Sequence, residues 1–362
     1  MNLYIHLPFC KKKCNYCDFV SYPDKEHLID EYVSALVKEI KLATGDWRLE
    51  TIYFGGGTPT LLEPKHFEKI LNNVPRPSSL VEITIESNPG TADKTKLKEL
   101  RKLGINRLSI GAQSFNDQHL KILGRIHNSK DIFRFYDDAR SVGFDNINLD
   151  LIFALPNQSL EEWKSDLQTA ISLKPNHLST YALQVEEGTL FHKIIKKQDT
   201  RNKQITNSNL QLPNEDEELA MYEYTIDTLI SNDYKHYEIS NFAKPGHECQ
   251  HNITYWKNRN YIGIGAGAHS HVDGKRWANP DSVEEYLASS PVPRPSSPAD
   301  FHAERIFMGL RLLDGISAKH FQGFENELAE LIESGLLTRE NSHVKLTRRG
   351  LYLANEVFEK FV

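Results

Sequence analysis

Six short β-rich runs recur along the first half of the chain, separated by stretches with helical period. The runs are NLYIHL (2–7), TIYFGG (51–56), VEITIES (81–87), RLSIGA (107–112), NINLDLIFA (146–154) and HLSTYAL (177–183). Between them lie segments such as IDEYVSALVKEIKLA (29–43), TKLKELRKLG (95–104) and SLEEWKSDLQTAISL (159–173). In the second of these, Leu97, Leu100 and Leu103 recur at helical spacing, and Gly104 stands where a glycine ends a helix. Strands that alternate with helices pair in parallel through right-handed crossovers. A closed eight-stranded barrel needs two further units, which the sequence does not show. The expectation is therefore an α/β fold, a partial (β/α)6 barrel of the TIM type over residues 1–190.

After residue 190 the pattern changes. The stretch 196–218 is polar and rich in Asn and Gln, and reads as a mobile loop. A helix is expected over 215–231, followed by a segment dense in aromatics and glycine over 237–271. PVPRPSSP (291–298) reads as a linker of polyproline character. Residues 191–298 are thus a variable region, and 299–362 a small, mostly helical unit resembling a winged helix. Acidic and basic residues nearly balance in that last unit, which favours a packing role over DNA reading.

Three function classes become unattractive on composition. A net charge of −6 lacks the basic footprint of a nucleic-acid binder. No apolar run approaches the roughly 20 residues that span a bilayer, although peripheral membrane contact stays open. The N-terminus MNLYIHLPFC has no basic stretch and no small-residue cleavage site. A cytoplasmic location is the expectation.

Three of the chain's four cysteines fall within eight positions, as Cys10-x3-Cys14-x2-Cys17. An odd cluster cannot be a set of disulfides, and sparse cysteine fits a reducing compartment where thiols are ligands or nucleophiles. A closed zinc site takes four ligands, and the fourth cysteine, Cys249, lies far downstream. Soft thiolates select zinc, copper(I) or iron–sulfur clusters. Three of them on a four-iron cube leave one iron open to a small ligand.

Parallel α/β barrels carry their chemistry at the C-terminal ends of the strands. The first run leads directly into the cysteine loop. The second ends in GGGTPT (55–60), the third in Glu86, the fourth in Gln113, and the fifth carries Asp150 within an apolar NLDLIF. A buried acid in a strand needs a partner. Taken singly, each feature has a plainer reading: a tight turn for the glycines, surface polarity for Glu86 and Gln113, a solvated helix end for Arg125 in LGRIH. GIGAGAH (263–269) mimics a dinucleotide fingerprint, but no βαβ unit with a ribose-binding acid follows it. The convergence of strand ends on one mouth beside a metal site is the stronger signal.

The motif Cys10-x3-Cys14-x2-Cys17, with Tyr16 before its last cysteine, resembles that of the radical S-adenosylmethionine (SAM) superfamily. Along nearly its whole length the chain resembles the oxygen-independent coproporphyrinogen III oxidase family, through YIHLPFC, FGGGTPT, IESNPG, LSIGAQSF, LGRIH and NLDLIFALP. The resemblance implies a [4Fe–4S] cluster on Cys10, Cys14 and Cys17, with the open iron chelated by the amino and carboxylate groups of SAM. It further implies that Tyr4, Tyr16, Gly56, Gly57, Thr58, Glu86, Gln113, Arg125 and Asp150 line the SAM site. Glycine backbone and Thr58 would receive the methionyl ammonium, Arg125 would pair with its carboxylate, and Glu86 or Asp150 would hold ribose hydroxyls or the amine.

Two departures divide that family. The oxidases continue to a fourth cysteine where this chain has Phe19, and they carry a long arm before the first strand, whereas three residues precede Tyr4 here. Instead the chain has His251-Asn252-x-x-Tyr255-Trp256, which resembles the HNxxYW signature of the HemW-like heme chaperone branch. That branch implies heme as cargo, an acceptor protein, an electron donor to the cluster, and no expected coproporphyrinogen oxidase activity. The alternative is a genuine radical oxidase that decarboxylates propionates. An imidazole is a common ligand to heme iron, and Tyr and Trp pack against a macrocycle. His251 is therefore the candidate heme ligand, with His269 and His271 as further candidates.

Overall fold

Alternation of apolar and polar residues within each run decides which way its side chains face. In a computed structural model, which describes residues 1–43, 48–75, 82–199, 210–289 and 301–362, the six runs are six parallel strands side by side in sequence order. They are β1 (Asn2–Leu7), β2 (Thr51–Gly56), β3 (Glu82–Ser87), β4 (Arg107–Gln113), β5 (Asn146–Phe153) and β6 (His177–Ala182). Leu3, Ile5, Ile52, Phe54, Ile83, Ile85, Leu108, Ile110, Ile147 and Leu149 belong to the main hydrophobic core. Most of the residues alternating with them are polar, and several bond to one another across strands. Asn148 Nδ2, for example, donates to Ser109 Oγ at 2.8 Å and to Ser179 Oγ at 3.0 Å. The outer face is thus a greasy seat for helices, and the inner face a polar surface.

The connecting helices are α1 (Ile29–Ala43), α2 (Pro64–Leu71), α3 (Lys94–Lys102), α4 (Asp117–Leu123), α5 (Ser129–Ser141) and α6 (Leu160–Ser172). Asp93, Asn116, Asn128 and Ser159 each accept a backbone N–H of the first turn that follows, which fixes where α3, α4, α5 and α6 begin.

Beyond residue 189 the chain extends this sheet at both edges. Helices α7 (Leu190–Asp199) and α8 (Glu215–Ser231) precede β7 (Lys235–Glu238) and β8 (Asn241–Ala243). Strand β8 lies antiparallel beside β6. Helix α9 (Gln250–Trp256) leads into β9 (Tyr261–Ile264), which pairs in parallel with the free side of β1. Antiparallel β10 (His269–Val272) and β11 (Lys275–Ala278) complete that edge. The sheet therefore reads β11-β10-β9-β1-β2-β3-β4-β5-β6-β8-β7. A seventh parallel strand, β9, joins the six read from sequence. The GIGAGAH run supplies the end of β9 and the turn into β10.

Helix α1 anchors that late edge. The buried Glu39 carboxylate accepts the Gly265 N–H at 3.0 Å, the Asn279 amide at 2.7 Å and the Tyr286 hydroxyl at 2.6 Å. Tyr286 lies on α10 (Val283–Ala288). Tyr32, also on α1, receives the Ala266 N–H at 2.7 Å and donates to the His6 carbonyl at 3.0 Å.

The C-terminal part comprises α11 (Phe301–Gly309), β12 (Ile316–Ser317), α12 (Glu325–Glu333), β13 (Leu337–Glu340), β14 (His343–Leu346), α13 (Arg348–Tyr352) and α14 (Ala354–Glu359). Its three strands form a separate small sheet, and Ile306, Leu310, Phe321, Val344, Val357 and Phe361 form a second core. The linker read at 291–298 lies outside the described residues. Of the polar stretch 196–218, residues 200–209 also lie outside them, whereas 196–199 close α7 and 215–218 open α8. Among the described residues no helix is long and apolar enough to cross a membrane.

Removing the Glu39 carboxylate strands three donors in a buried place. Glu39→Ala should cost about 3 kcal/mol in urea unfolding, and Glu39→Gln, which keeps an acceptor, distinctly less.

Candidate cofactor site at the mouth of the barrel

All three clustered cysteines sit in one closed loop. After β1 the segment Phe9–Cys10 pairs in parallel with Tyr22–Pro23, and the Tyr22 N–H donates to the Pro8 carbonyl at 2.7 Å. Within the loop, Asn15 is a strap. Its N–H donates to the Leu123 carbonyl at 3.0 Å, its side-chain amide to the Ile122 carbonyl at 2.8 Å, and its own carbonyl receives the Phe191 N–H at 2.9 Å. His6 clamps the loop from the strand side. Its Nε2 donates to the Val20 carbonyl at 2.7 Å, which leaves Nδ1 to accept the Tyr4 hydroxyl at 3.0 Å.

The turn after β2 is shaped around the first sulfur. A Cβ on Gly57 would lie 2.6 Å from the Phe9 carbonyl oxygen and 3.0 Å from Cys10 Sγ, so only glycine fits. Gly56 has φ +113°, and a Cβ there would strike the His6 ring. Thr58 Oγ1 lies 3.5 Å from Cys10 Sγ and accepts the Asn88 amide at 2.9 Å. Cys10 is buried, Cys14 and Cys17 are half-buried, and none of the three is in a disulfide. Burial pushes the Cys10 and Cys17 thiols up from their ordinary range. Among the described residues no three Cys, His, Asp or Glu side chains converge closely enough to share a single ion. A cubane cluster, whose ligands bind separate corner irons, fits three spaced soft sulfurs better than one zinc does.

Arg125, just past α4, reaches across the mouth. Its Nη1 lies 3.4 Å from both Cys14 Sγ and Tyr16 Oη. Its Nη2 donates to Asn88 Oδ1 and, at 2.8 Å, to the Gly111 carbonyl. The Nε hydrogen is buried with no partner among the described residues. Arg125 thus lies at the mouth, as the resemblance implies, and not at a solvated helix end.

Two half-buried acids face the same space. Glu86 accepts the Tyr53 hydroxyl at 2.8 Å and the Gly56 N–H at 3.2 Å, and burial, with Asp150 adding repulsion, lifts its carboxyl to about 7. Asp150 accepts Asn148 Nδ2 at 2.7 Å and Ser109 Oγ at 3.1 Å, and burial raises it too. Gln113 is buried at a register shift in β4, with φ +70°. The structure thus gathers Cys10, Cys14, Cys17, Tyr16, Gly56, Gly57, Thr58, Glu86, Arg125 and Tyr4 through direct contacts, with Asp150 and Gln113 on the adjoining strand ends. Sequence reasoning missed Asn88, Asn15 and His6. Asn88 follows Glu86 in IESNPG, and strand period two puts His6 on the face of Tyr4, so both carried a signal.

His251 lies elsewhere. It sits at the opposite end of the strands, stacked on Tyr53 with ring centroids 5.0 Å apart. Thr51 donates its hydroxyl to Asn2 Oδ1 at 2.9 Å, so His251 Nδ1 is the donor in its 2.7 Å bond to Thr51. That leaves Nε2 to accept the Tyr255 hydroxyl at 2.8 Å. Burial holds the imidazole neutral by lowering its pKa to about 3. Both ring nitrogens are thus engaged by protein hydroxyls, where the sequence reading has His251 as the candidate heme ligand. Cys249, also at this end, is fully buried near the Glu82 carboxylate, 3.8 Å away. Tyr255 and Trp256 face an open cavity on the inner side of the sheet, which Tyr4 and His6 also line.

Comparison with known proteins places these features in a family context. A profile of the Radical SAM superfamily matches residues 4–170, and one of the HemN C-terminal domain matches 297–353. "Heme chaperone HemW" of Bacillus subtilis is 40% identical, covering 99% of this chain and 98% of the relative. The protein of the same name from Escherichia coli is 36% identical over 100% and 98%. Among solved structures, coproporphyrinogen III oxidase (HemN) from Escherichia coli superposes with a TM-score of 0.83 at 23% identity, covering 99% of this chain and 89% of that one. That last likeness is one of fold.

The buried histidine network yields a direct expectation. His251→Ala should lower stability to denaturant by roughly 2 kcal/mol, because it removes the buried donor to Thr51 and the acceptor of the Tyr255 hydroxyl. An unchanged unfolding midpoint would show that the network carries no weight.

Proposed function

The chain belongs to the radical SAM superfamily and, within it, to the heme chaperone HemW family, and from that premise we propose that it binds heme and passes it to an acceptor protein. In this reading Cys10, Cys14 and Cys17 hold a [4Fe–4S] cluster, and SAM occupies the remaining iron. The observation that carries it is the closed loop of three thiols facing Arg125, Glu86 and Asp150, with the fourth cysteine buried at the far end of the strands.

The chain's own residues supply the fit. Arg125 has one unpartnered N–H and a fixed charge suited to the methionyl carboxylate. Glu86 and Asp150 are two desolvated acids that repel each other, and amine or hydroxyl donors relieve that cost. Thr58 and the Gly56–Gly57 backbone border Cys10 closely enough to meet the amino group, and Tyr4, Tyr16 and Gln113 close the walls. When bound, the cluster and the sulfonium together supply one-electron chemistry, which calls for an electron donor as a further partner. A cytoplasmic setting suits a chain whose thiols must stay reduced.

Iron analysis after anaerobic reconstitution tests the cluster. Cys14→Ala should lose most of its iron and the broad absorbance near ~400 nm, whereas Cys249→Ala should keep both. Full iron in Cys14→Ala would sink the assignment. Asp150→Asn should weaken SAM binding, read by equilibrium dialysis, with iron content near that of the parent. Tight binding in that variant would make Asp150 a purely structural residue.

A further inference from the structure

The cavity beside the cluster loop has a composition that the cluster and SAM do not account for. It is open, encloses about 490 Å3, and lies on the inner face of β1, β9 and β10 under α11 of the C-terminal part. Ligand sites of ~300–1,000 Å3 normally have apolar and aromatic walls with a few polar groups. Here Phe19, Tyr255, Trp256 and Tyr261 supply the rings, and two side chains, His269 and Met308, carry atoms that ligate soft or borderline iron.

Several details point to a flat, iron-bearing aromatic occupant. Phe19 is 68% exposed, a large cost in uncovered apolar surface unless something lies against it. His269 is exposed, and no hydrogen bond holds its ring among the described residues. By contrast His6, also on the cavity wall, has both nitrogens engaged. Tyr255 is fixed by His251, which stands behind it and does not line the cavity. Trp256 is backed by the Arg311 guanidinium, 4.4 Å from its ring centre. That guanidinium is itself paired with the buried Glu238 carboxylate at 3.9 Å, so it braces the Trp256 ring and does not line the cavity.

Resting on the heme-carrying reading above, we propose that this cavity is the heme site, with His269 as an iron ligand through nitrogen, Met308 as a second ligand through sulfur, and Phe19, Tyr255 and Trp256 packing on the macrocycle. His251 then acts through Tyr255, as a positioning residue. Because Tyr4 borders both the cavity and the acid-lined mouth, heme and SAM would be neighbours on one face of the sheet.

Heme titration of the reconstituted protein, followed by the Soret band, tests the location. His269→Gly should bind heme at least roughly tenfold more weakly with a shifted band, and added imidazole should restore the parent spectrum. Phe19→Ala should weaken binding with the band unmoved, and Met308→Ala should alter the spectrum. Exposed His343, changed to Ala, should change nothing. Iron content of the cluster serves as the folding control in every variant. If His269→Gly and Phe19→Ala both match the parent in affinity and spectrum, the site lies elsewhere although heme is bound. If the parent itself binds no heme, the heme-carrying reading fails, and the location with it.

Discussion

The mouth of this barrel is organised around one half-buried guanidinium. Arg125 joins the cysteine loop, through Cys14 and Tyr16, to Asn88 beyond β3 and the Gly111 carbonyl in β4. Burying a full charge costs several kcal/mol unless anions compensate it. Its partners here are an amide, a carbonyl, a phenol and a thiol. The cation is therefore balanced only when Cys14 becomes a thiolate or an anionic ligand arrives. A metal cluster supplies the first and an amino-acid carboxylate the second. Glu86 and Asp150 pose the mirror-image problem, two acids short of donors. The mouth is charged on both sides and complete on neither.

The rest of the sheet serves that arrangement. Outer residues of β1 to β6 are buried against helices, so the inner face can be polar from end to end without loss of the core. At the far end, His251, Thr51, Asn2 and Tyr255 form a neutral hydrogen-bonded floor. Glu39 and Tyr32 tie α1 to the late-arriving β9 turn. That closure places an aromatic wall next to the cluster loop. A cofactor mouth and an aromatic cavity then share Tyr4.

Much of this was legible in the sequence because period two and period 3.6 are strong over six successive units. Strands β1 to β6 appear within a residue or so of their expected bounds, and three thiols within eight positions announce a metal loop whatever the fold. Strands β9 to β11 were not legible. Each has four residues and sits among turns, too few for alternation to show. From its local sequence alone Arg125 reads as a surface charge; the family resemblance puts it at the mouth, and the fold brings Cys14 and Asn88 to it there. The hydrogen-bond partners of His251 were hidden for the same reason. Spacing within HNxxYW says nothing about Thr51, whose hydroxyl fixes the ring from 200 residues away in sequence.

The central claim is that three thiolates leave one iron open to SAM. Electron–nuclear double resonance on the reduced protein tests it most directly, using SAM labelled with 17O in the carboxylate and 15N in the amino group. The account predicts hyperfine coupling of both labels to the reduced [4Fe–4S] cluster. An intact cluster that shows no coupling to either label, with SAM bound, would contradict it.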